Sequence, residues 1–159
     1  MAVNNIIKRI QNIMRQDAGI NGDAQRIEQM TWMFFLKVYD TQEETWEYKD
    51  ENYKSIIPED LRWRKWAVDE KDGEALTGEA LLSFVNEKLF PTLKNLPIDA
   101  NTPRAKSIVL ETFADLNQYM KNGTLLRQVV NIVNEIEFDD ADDRHTFGDI
   151  YEGILKDLQ

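Results

Sequence analysis

The sequence predicts an all-α fold: one compact domain of about six to eight helices, covering residues 1–159. Three observations predict it. Apolar residues recur at three- and four-residue spacing through most of the chain, and no internal repeat, low-complexity tract or linker divides it. The composition, 42% hydrophobic and 30% charged, is that of a chain able to bury a core.

The first helix is read from Val3, Ile6, Ile7, Ile10, Ile13 and Met14, which fall on one face. It should stop between Asp17 and Gly22, where Gly19, Asn21 and Gly22 tolerate turn backbone. Asp23 is the expected cap of a second helix carrying Ile27, Met30, Thr31, Phe34, Phe35, Val38 and Tyr39. Trp32, Met33 and Leu36 fill its other sides, the pattern of a central core element. Its charged continuation, with Glu43 and Glu47 at helical spacing, is expected to emerge into solvent.

From Ser55 to Thr77 the periodicity fades, predicting a structured loop with a short helix. Thr77 should cap the next helix, whose apolar positions from Leu81 to Phe90 run up to Pro91, where it kinks or ends. Thr102 and Pro103 fit an N-cap followed by a first-turn proline, opening a helix that buries Ile108, Val109, Leu110, Phe113, Leu116 and Tyr119 before Asn122 and Gly123 stop it. Leu125 to Ile136 is β-branched enough to admit a strand; its length and the lack of a partner strand favour helix. Thr146, with Asp149 three residues on, starts a last helix reaching Gln159.

The chain has no cysteine and a single histidine, His145, which excludes disulfides and the usual zinc ligand sets. No stretch approaches the roughly 20 apolar residues of a membrane span, and the N-terminus lacks a signal-peptide core, so a cytoplasmic protein without membrane partners is expected. A net charge of −10 opposes a general nucleic-acid binder, so any DNA contact must be local. The acidic run from Asp139 to Asp143 lacks the glycine and closing glutamate of a calcium loop, so no metal site is expected. None of the seven glycines forms a phosphate-cradling cluster, and no nucleophile accompanies His145. Catalytic and cofactor-binding residues are therefore expected to be none.

One segment departs from the acidic background. Arg62, Trp63, Arg64, Lys65 and Trp66 gather three cations and two indoles into five residues. Such a set can pair phosphates with cations while the rings stack; alternatively the tryptophans anchor a loop into the core while the cations face water or nearby glutamates. Lys8, Arg9 and Arg15 on the polar side of the first helix form a second, weaker patch. Lys8, Arg9 and Arg62 to Trp66 are the candidate contacts to DNA or to another subunit.

The segment MTWMFFLKVYDTQEETWE, with Phe35, Leu36 and Lys37 followed by Tyr39 and Asp40, resembles the signature helix of type I modification subunits. The C-terminal FGDIYEGILKDL, with Gly148, Tyr151, Glu152 and Leu155, resembles the helix leading out of that family's N-terminal domain. The chain is therefore similar to the helical N-terminal domain of the modification (HsdM-type) subunit of type I restriction-modification systems. Members of this adenine-N6 DNA methyltransferase family continue into a Rossmann-like domain with an Asn-Pro-Pro-aromatic motif, which Asn95, Asn101 and the four prolines here never assemble.

The resemblance implies a longer protein that binds S-adenosylmethionine and methylates adenine. Its implied partners are DNA, a DNA-specificity subunit, a restriction subunit, a second modification subunit and its own methyltransferase domain. The helical domain would pack on that domain and help enclose DNA, with no methyl transfer by these residues alone. The alternative is a free-standing helical adaptor whose apolar groove accepts a partner helix; a small enzyme with an unrecognised site is the least supported reading.

Overall fold

A computed structural model of the chain describes residues 3–68, 75–97, 99–100 and 104–136. The Thr102–Pro103 cap, the acidic run, His145 and the helix expected from Thr146 lie outside the described residues. So do the C-terminal family-like positions Gly148, Tyr151, Glu152 and Leu155.

Helix α1 (Val3–Met14) buries Ile6, Ile10 and Met14, the stripe that its spacing predicts. Two turns of chain later begins α2 (Gly22–Lys49), at about 1.5 Å per residue the longest element of the fold. Its opening is two residues earlier than the expected Asp23 cap implies. Asn21 stands at the cap without a side-chain cap bond, its N–H donates instead to Gln25 Oε1 (2.7 Å), and Asp23 pairs with Arg26 in the first turn. Gly22 takes φ +86°, a left-handed value that a β-carbon would strain. From Trp32 to Leu36 every side chain of α2 is buried, so this helix is surrounded, as its all-round apolar character requires.

A 3₁₀ turn (Glu59–Leu61) and the single-turn helix α3 (Trp63–Trp66) then lie against α2. Helix α4 (Gly78–Ser83), a π-helical segment (Phe84–Leu89) and α5 (Phe90–Lys94) follow without a break. Pro91 therefore does not end the rod. A proline has no N–H to donate and its ring crowds the preceding turn, and the widened π turns just before it relieve both demands. Helix α6 (Arg104–Ala114) packs on α5, and α7 (Gly123–Val133) lies between α1 and α4. No strand occurs among the described residues, and the Leu125–Ile136 region is helical rather than extended.

Helix α6 stops at Ala114, short of the expected Asn122. The reason is a set of side-chain acceptors that take the backbone N–H groups of the following loop. Asn117 N–H donates to Glu28 Oε2 (3.0 Å), Tyr119 N–H to Gln29 Oε1 (2.8 Å), and Met120 N–H to Gln118 Oε1 (2.6 Å). Lys121 and Asn122 N–H both donate to the buried carboxylate of Asp17 (2.9 Å each). With its donors satisfied from outside, the loop gains nothing by staying helical. Asn122 then caps α7, its side chain accepting from Leu125 N–H at 3.0 Å.

The core is aromatic at its centre. Trp32 meets Phe90 edge-on (5.1 Å between centroids) and Trp66 face-on (6.4 Å), while Phe113 takes Phe35 and Phe90 at 6.0 and 5.3 Å. These contacts join α2, α3, α5 and α6. Helices α4 and α7 meet through glycine: a β-carbon on Gly123 would lie 1.9 Å from the carbonyl oxygen of Gly78.

Candidate functional site

The C-terminal half of α2 does not emerge into solvent as its charges predict. Glu43 is 1% exposed and Asp40 8%, because α3 and the loop before it fold over this face. Glu43 occupies the middle of an aromatic stripe. Tyr39 and Trp46 meet edge-on at 5.7 Å on either side of it, and Trp46 meets Tyr53 at 5.9 Å. The Tyr53 hydroxyl donates to Glu43 Oε2 at 2.6 Å.

Into this acidic stripe α3 and its flank deliver cations. Arg62 is buried and pairs with three carboxylates: Glu47, Glu59 (3.2 Å) and, through Nε, Glu43 at 3.6 Å. Arg64 donates from Nε to Asp40 Oδ1 (2.9 Å) and from Nη1 to Glu47 Oε2 (3.1 Å). Burial pushes the Glu43 carboxyl above its ordinary value, with the Tyr53 bond and Arg62 pulling against it. Glu47 moves the other way: desolvation opposes the shift, yet the bonds from Arg62 and Arg64 hold it below the usual carboxylate range. Burial and the neighbouring Glu43 raise the hydroxyls of Tyr39 and Tyr53, so both stay protonated.

The two indoles of this segment are core residues. Trp63 is 3% exposed and Trp66 4%; Trp66 Nε1–H donates to the Leu61 carbonyl (3.0 Å) and Trp63 Nε1–H to Asn134 Oδ1 (2.8 Å). Asn134 is a junction, donating to the Ala67 carbonyl (2.9 Å) and accepting Lys37 Nζ on its own carbonyl (2.9 Å). Buried Arg127 completes the clamp, its guanidinium donating to the carbonyls of Trp66 (3.3 Å), Ala67 and Leu76 (3.5 Å). The segment that the sequence singles out is thus bolted to α2 on one side and α7 on the other.

Of the seven candidate contacts, Arg62, Trp63 and Trp66 are internal, and Arg64 is half-buried in ion pairs. Lys65 is exposed, 3.5 Å from Glu59. Lys8 and Arg9 are exposed on α1, where Arg9 forms a two-pronged pair with Glu135 (3.0 and 3.1 Å). The buried acids Asp40 and Glu43, together with Tyr53 and Asn134, anchor this network, and the sequence reading does not single them out. A signal existed: Tyr39, Glu43 and Trp46 fall at four- and three-residue spacing, which puts Glu43 on the aromatic face, not the charged one.

Beside this network lies an open depression of about 540 Å³ lined by Glu47, Asp50, Glu51, Lys54, Glu59 and Arg62 among others. Four carboxylates on its rim, Glu47, Asp50, Glu51 and Glu59, outweigh Lys54 and the already paired Arg62, which disfavours a phosphate. Among the described residues, no group of three or more His, Cys, Asp or Glu side chains is placed to hold a metal ion, and no helix is long and apolar enough to cross a membrane.

Residues 3–133 match the model of the HsdM N-terminal domain. The chain belongs to this family. Over its whole length it is 55% identical to the type I restriction enzyme EcoEI methylase subunit of Escherichia coli, of which it spans 32%. The fold matches a modification subunit of a putative type I restriction enzyme from Vibrio vulnificus YJ016, with a TM-score of 0.78 and 32% identity over 98% of this chain and 34% of that one. A second match, TM-score 0.76 and 33% identity, covers 96% of this chain and 29% of a chain from a structure of complex assembly and conformational transition in the type I R-M system. The chain thus spans about a third of the length of each of these relatives. As an HsdM N-terminal domain, it has the helical fold of its family, and its relatives are parts of multi-subunit restriction-modification enzymes.

Proposed function

We propose that this domain is the accessory helical lobe of a type I DNA methyltransferase, holding subunits together and helping to enclose DNA while the chemistry is done elsewhere. The observation that carries this reading is the match over the full chain to a methylase subunit three times its length. The geometry supports it. Buried Arg62 and Glu43, joined by the more exposed Glu47 and Glu59, form an ion-pair network whose groups are committed to one another, which suits bracing and not catalysis. Tyr53 and Glu43 form the nearest approach to an acid–base pair, but they are spent on each other: the Tyr53 hydroxyl donates to Glu43 Oε2 at 2.6 Å, and the carboxylate is buried against Arg62.

In this reading the full-length protein binds S-adenosylmethionine in a separate methyltransferase domain and methylates adenine at N6. It does so with a DNA-specificity subunit and a second modification subunit, a restriction subunit being added for cleavage. The family match favours this over a helical adaptor of unrelated function. The test is methyl transfer from tritiated S-adenosylmethionine to duplex DNA. The full-length protein with its specificity subunit should label DNA, and the 159-residue chain alone should not. Labelling by the short chain, or a full-length protein that neither labels DNA nor associates with a specificity subunit, overturns the reading.

A further inference from the structure

The protein's acidity is not evenly spread, and one face reverses it. Helices α1 and α7 pack antiparallel: Asp17, just past the end of α1, accepts from Lys121 and Asn122 at the start of α7, and Arg9 meets Glu135 beyond the end of α7. Among residues 6–16, on α1 and the turn after it, the exposed polar positions are Lys8, Arg9, Asn12, Arg15 and Gln16; on α7 they are Thr124, Gln128, Asn131 and, past its end, Glu135, with Lys121 exposed just before it. The exposed surface of this helix pair is therefore cationic and amide-rich, in a chain whose net charge is −10.

The cations of this face differ from those of α3. Arg62 and Arg64 are consumed by buried or half-buried carboxylates. Lys8, Arg15 and Lys121 have no carboxylate within ion-pair distance among the described residues, and Arg15 donates only to the neutral amide of Asn12 (3.2 Å). The nearby acid, Asp17, is buried and saturated by the N–H groups of Gly19, Lys121 and Asn122. Arg9 alone is masked, by Glu135, in a pair whose side chains are 45% and 43% exposed and which water and salt can open. Lys8 and Arg15, seven residues apart, project from one face about 10 Å apart along the axis, a spacing that lets both reach one phosphate backbone.

We infer that the α1/α7 face is a contact surface for the sugar-phosphate backbone of duplex DNA, with Lys8, Arg15 and Lys121 as its phosphate partners and Glu135 as an intramolecular competitor for Arg9. It takes the backbone because Lys8, Arg15 and Lys121 are spread over two helices, and such scattered cations pair with phosphates without reading base edges. The inference rests on the reading of this domain as a part that helps enclose DNA and names the surface that does so.

The experiment is a nuclear magnetic resonance titration of the 159-residue chain with a short non-specific DNA duplex at several salt concentrations. Amide shifts are expected along residues 8–16 and 121–135. Replacing all three free cations (K8Q, R15Q and K121Q) should weaken binding about tenfold and reduce the slope of log affinity against log salt by roughly 2–3, close to 0.9 per lost phosphate contact. Substituting Glu135→Gln should strengthen binding several-fold. All four side chains are exposed, and an unchanged melting temperature confirms that the variants fold. The inference is overturned if these segments do not shift, if E135Q is without effect, or if a specificity subunit shifts the same face while DNA does not. None of these results touches methyl transfer by the full-length enzyme, so a failure here is distinguishable from a failure of the broader reading.

Discussion

Replacing Arg62 by Met keeps an unbranched apolar stem and removes the guanidinium and its charge. The cost follows from which partners are buried. Glu47 and Glu59 have side chains 36% and 62% exposed and recover water when Arg62 is lost, a change of about 0.2–1 kcal/mol each. Glu43 cannot; it is 1% exposed, and its escape is to take up a proton. From an ordinary value of 4.5, protonation at pH 7.5 costs about 4 kcal/mol at 1.36 kcal/mol per unit, an upper bound because burial already raises this carboxyl. The expected loss is therefore about 3 kcal/mol at pH 7.5, or roughly 6–12 °C in melting temperature.

The sign of its pH dependence is fixed by the same groups. A carboxyl raised in the folded state is free of penalty below its unfolded value and loses stability as pH rises toward its folded value; removing Arg62 raises that folded value further. Glu47 and Glu59, held low by Arg62, contribute stability above 4.5 that the variant forfeits. The Glu43 penalty shrinks on acidification while the Glu47 and Glu59 contribution persists down to about pH 4.5, so the deficit should fall to about 1 kcal/mol by pH 5.5. Urea unfolding followed by tryptophan fluorescence reads this directly, and adding E43Q to R62M should restore at least half of the loss. A deficit under about 1 kcal/mol at pH 7.5, one that does not change with pH, or an E43Q effect that adds to it would refute the argument.

Asp17→Ala removes the acceptor of three backbone N–H groups and should cost about 3 kcal/mol in thermal unfolding, with D17N near half of that because one oxygen survives. Gly123→Ala places a β-carbon 1.9 Å from the Gly78 carbonyl and should cost about 2–3 kcal/mol or more, whereas Gly22→Ala, with open space but φ +86°, should cost about 1–2 kcal/mol; melting curves of the two rank close approach against backbone strain. Trp63→Phe loses the bond to Asn134 and should cost about 1 kcal/mol, read in the same way.

How much of this was legible before the structure depends on whether a residue's role is local. The stripe of α1 and the all-round apolar centre of α2 follow from spacing alone, and both stand as expected. The end of α6 does not, because the acceptors that stop it, Asp17, Glu28 and Gln29, lie about ninety to a hundred residues away in sequence. The Arg62–Trp66 segment was visible as an anomaly, but its sense was not. Whether an arginine faces phosphate or glutamate is decided by which element covers it, and the charge pattern of α2 alone places those acids in solvent. Asn122 and Gly123 read as punctuation in the sequence, and in the structure they open α7 and do not close α6.

The internal commitment of Arg62 and Arg64 has a consequence for the surface that remains. With those cations turned inward, the α2/α3 edge presents Glu47, Asp50, Glu51 and Glu59 to solvent, while the α1/α7 face presents Lys8, Arg15 and Lys121. Among the described residues the charge is therefore unevenly spread, and on the inference above a polyanion is repelled from one edge and accepted on another. At physiological ionic strength the Debye length of about 8 Å confines each patch to its own neighbourhood, so the local cations are felt at contact and the net charge of −10 is largely screened beyond it. A few such contacts support only weak binding by a free domain, in the range of about 10⁻⁴ M or poorer. Attached to a protein that already holds DNA, the same face experiences an effective concentration in the millimolar range, and the weak contact becomes an occupied one. On this argument, the acidic balance of the chain is compatible with a DNA-facing role because it keeps the domain from binding DNA before the enzyme is assembled.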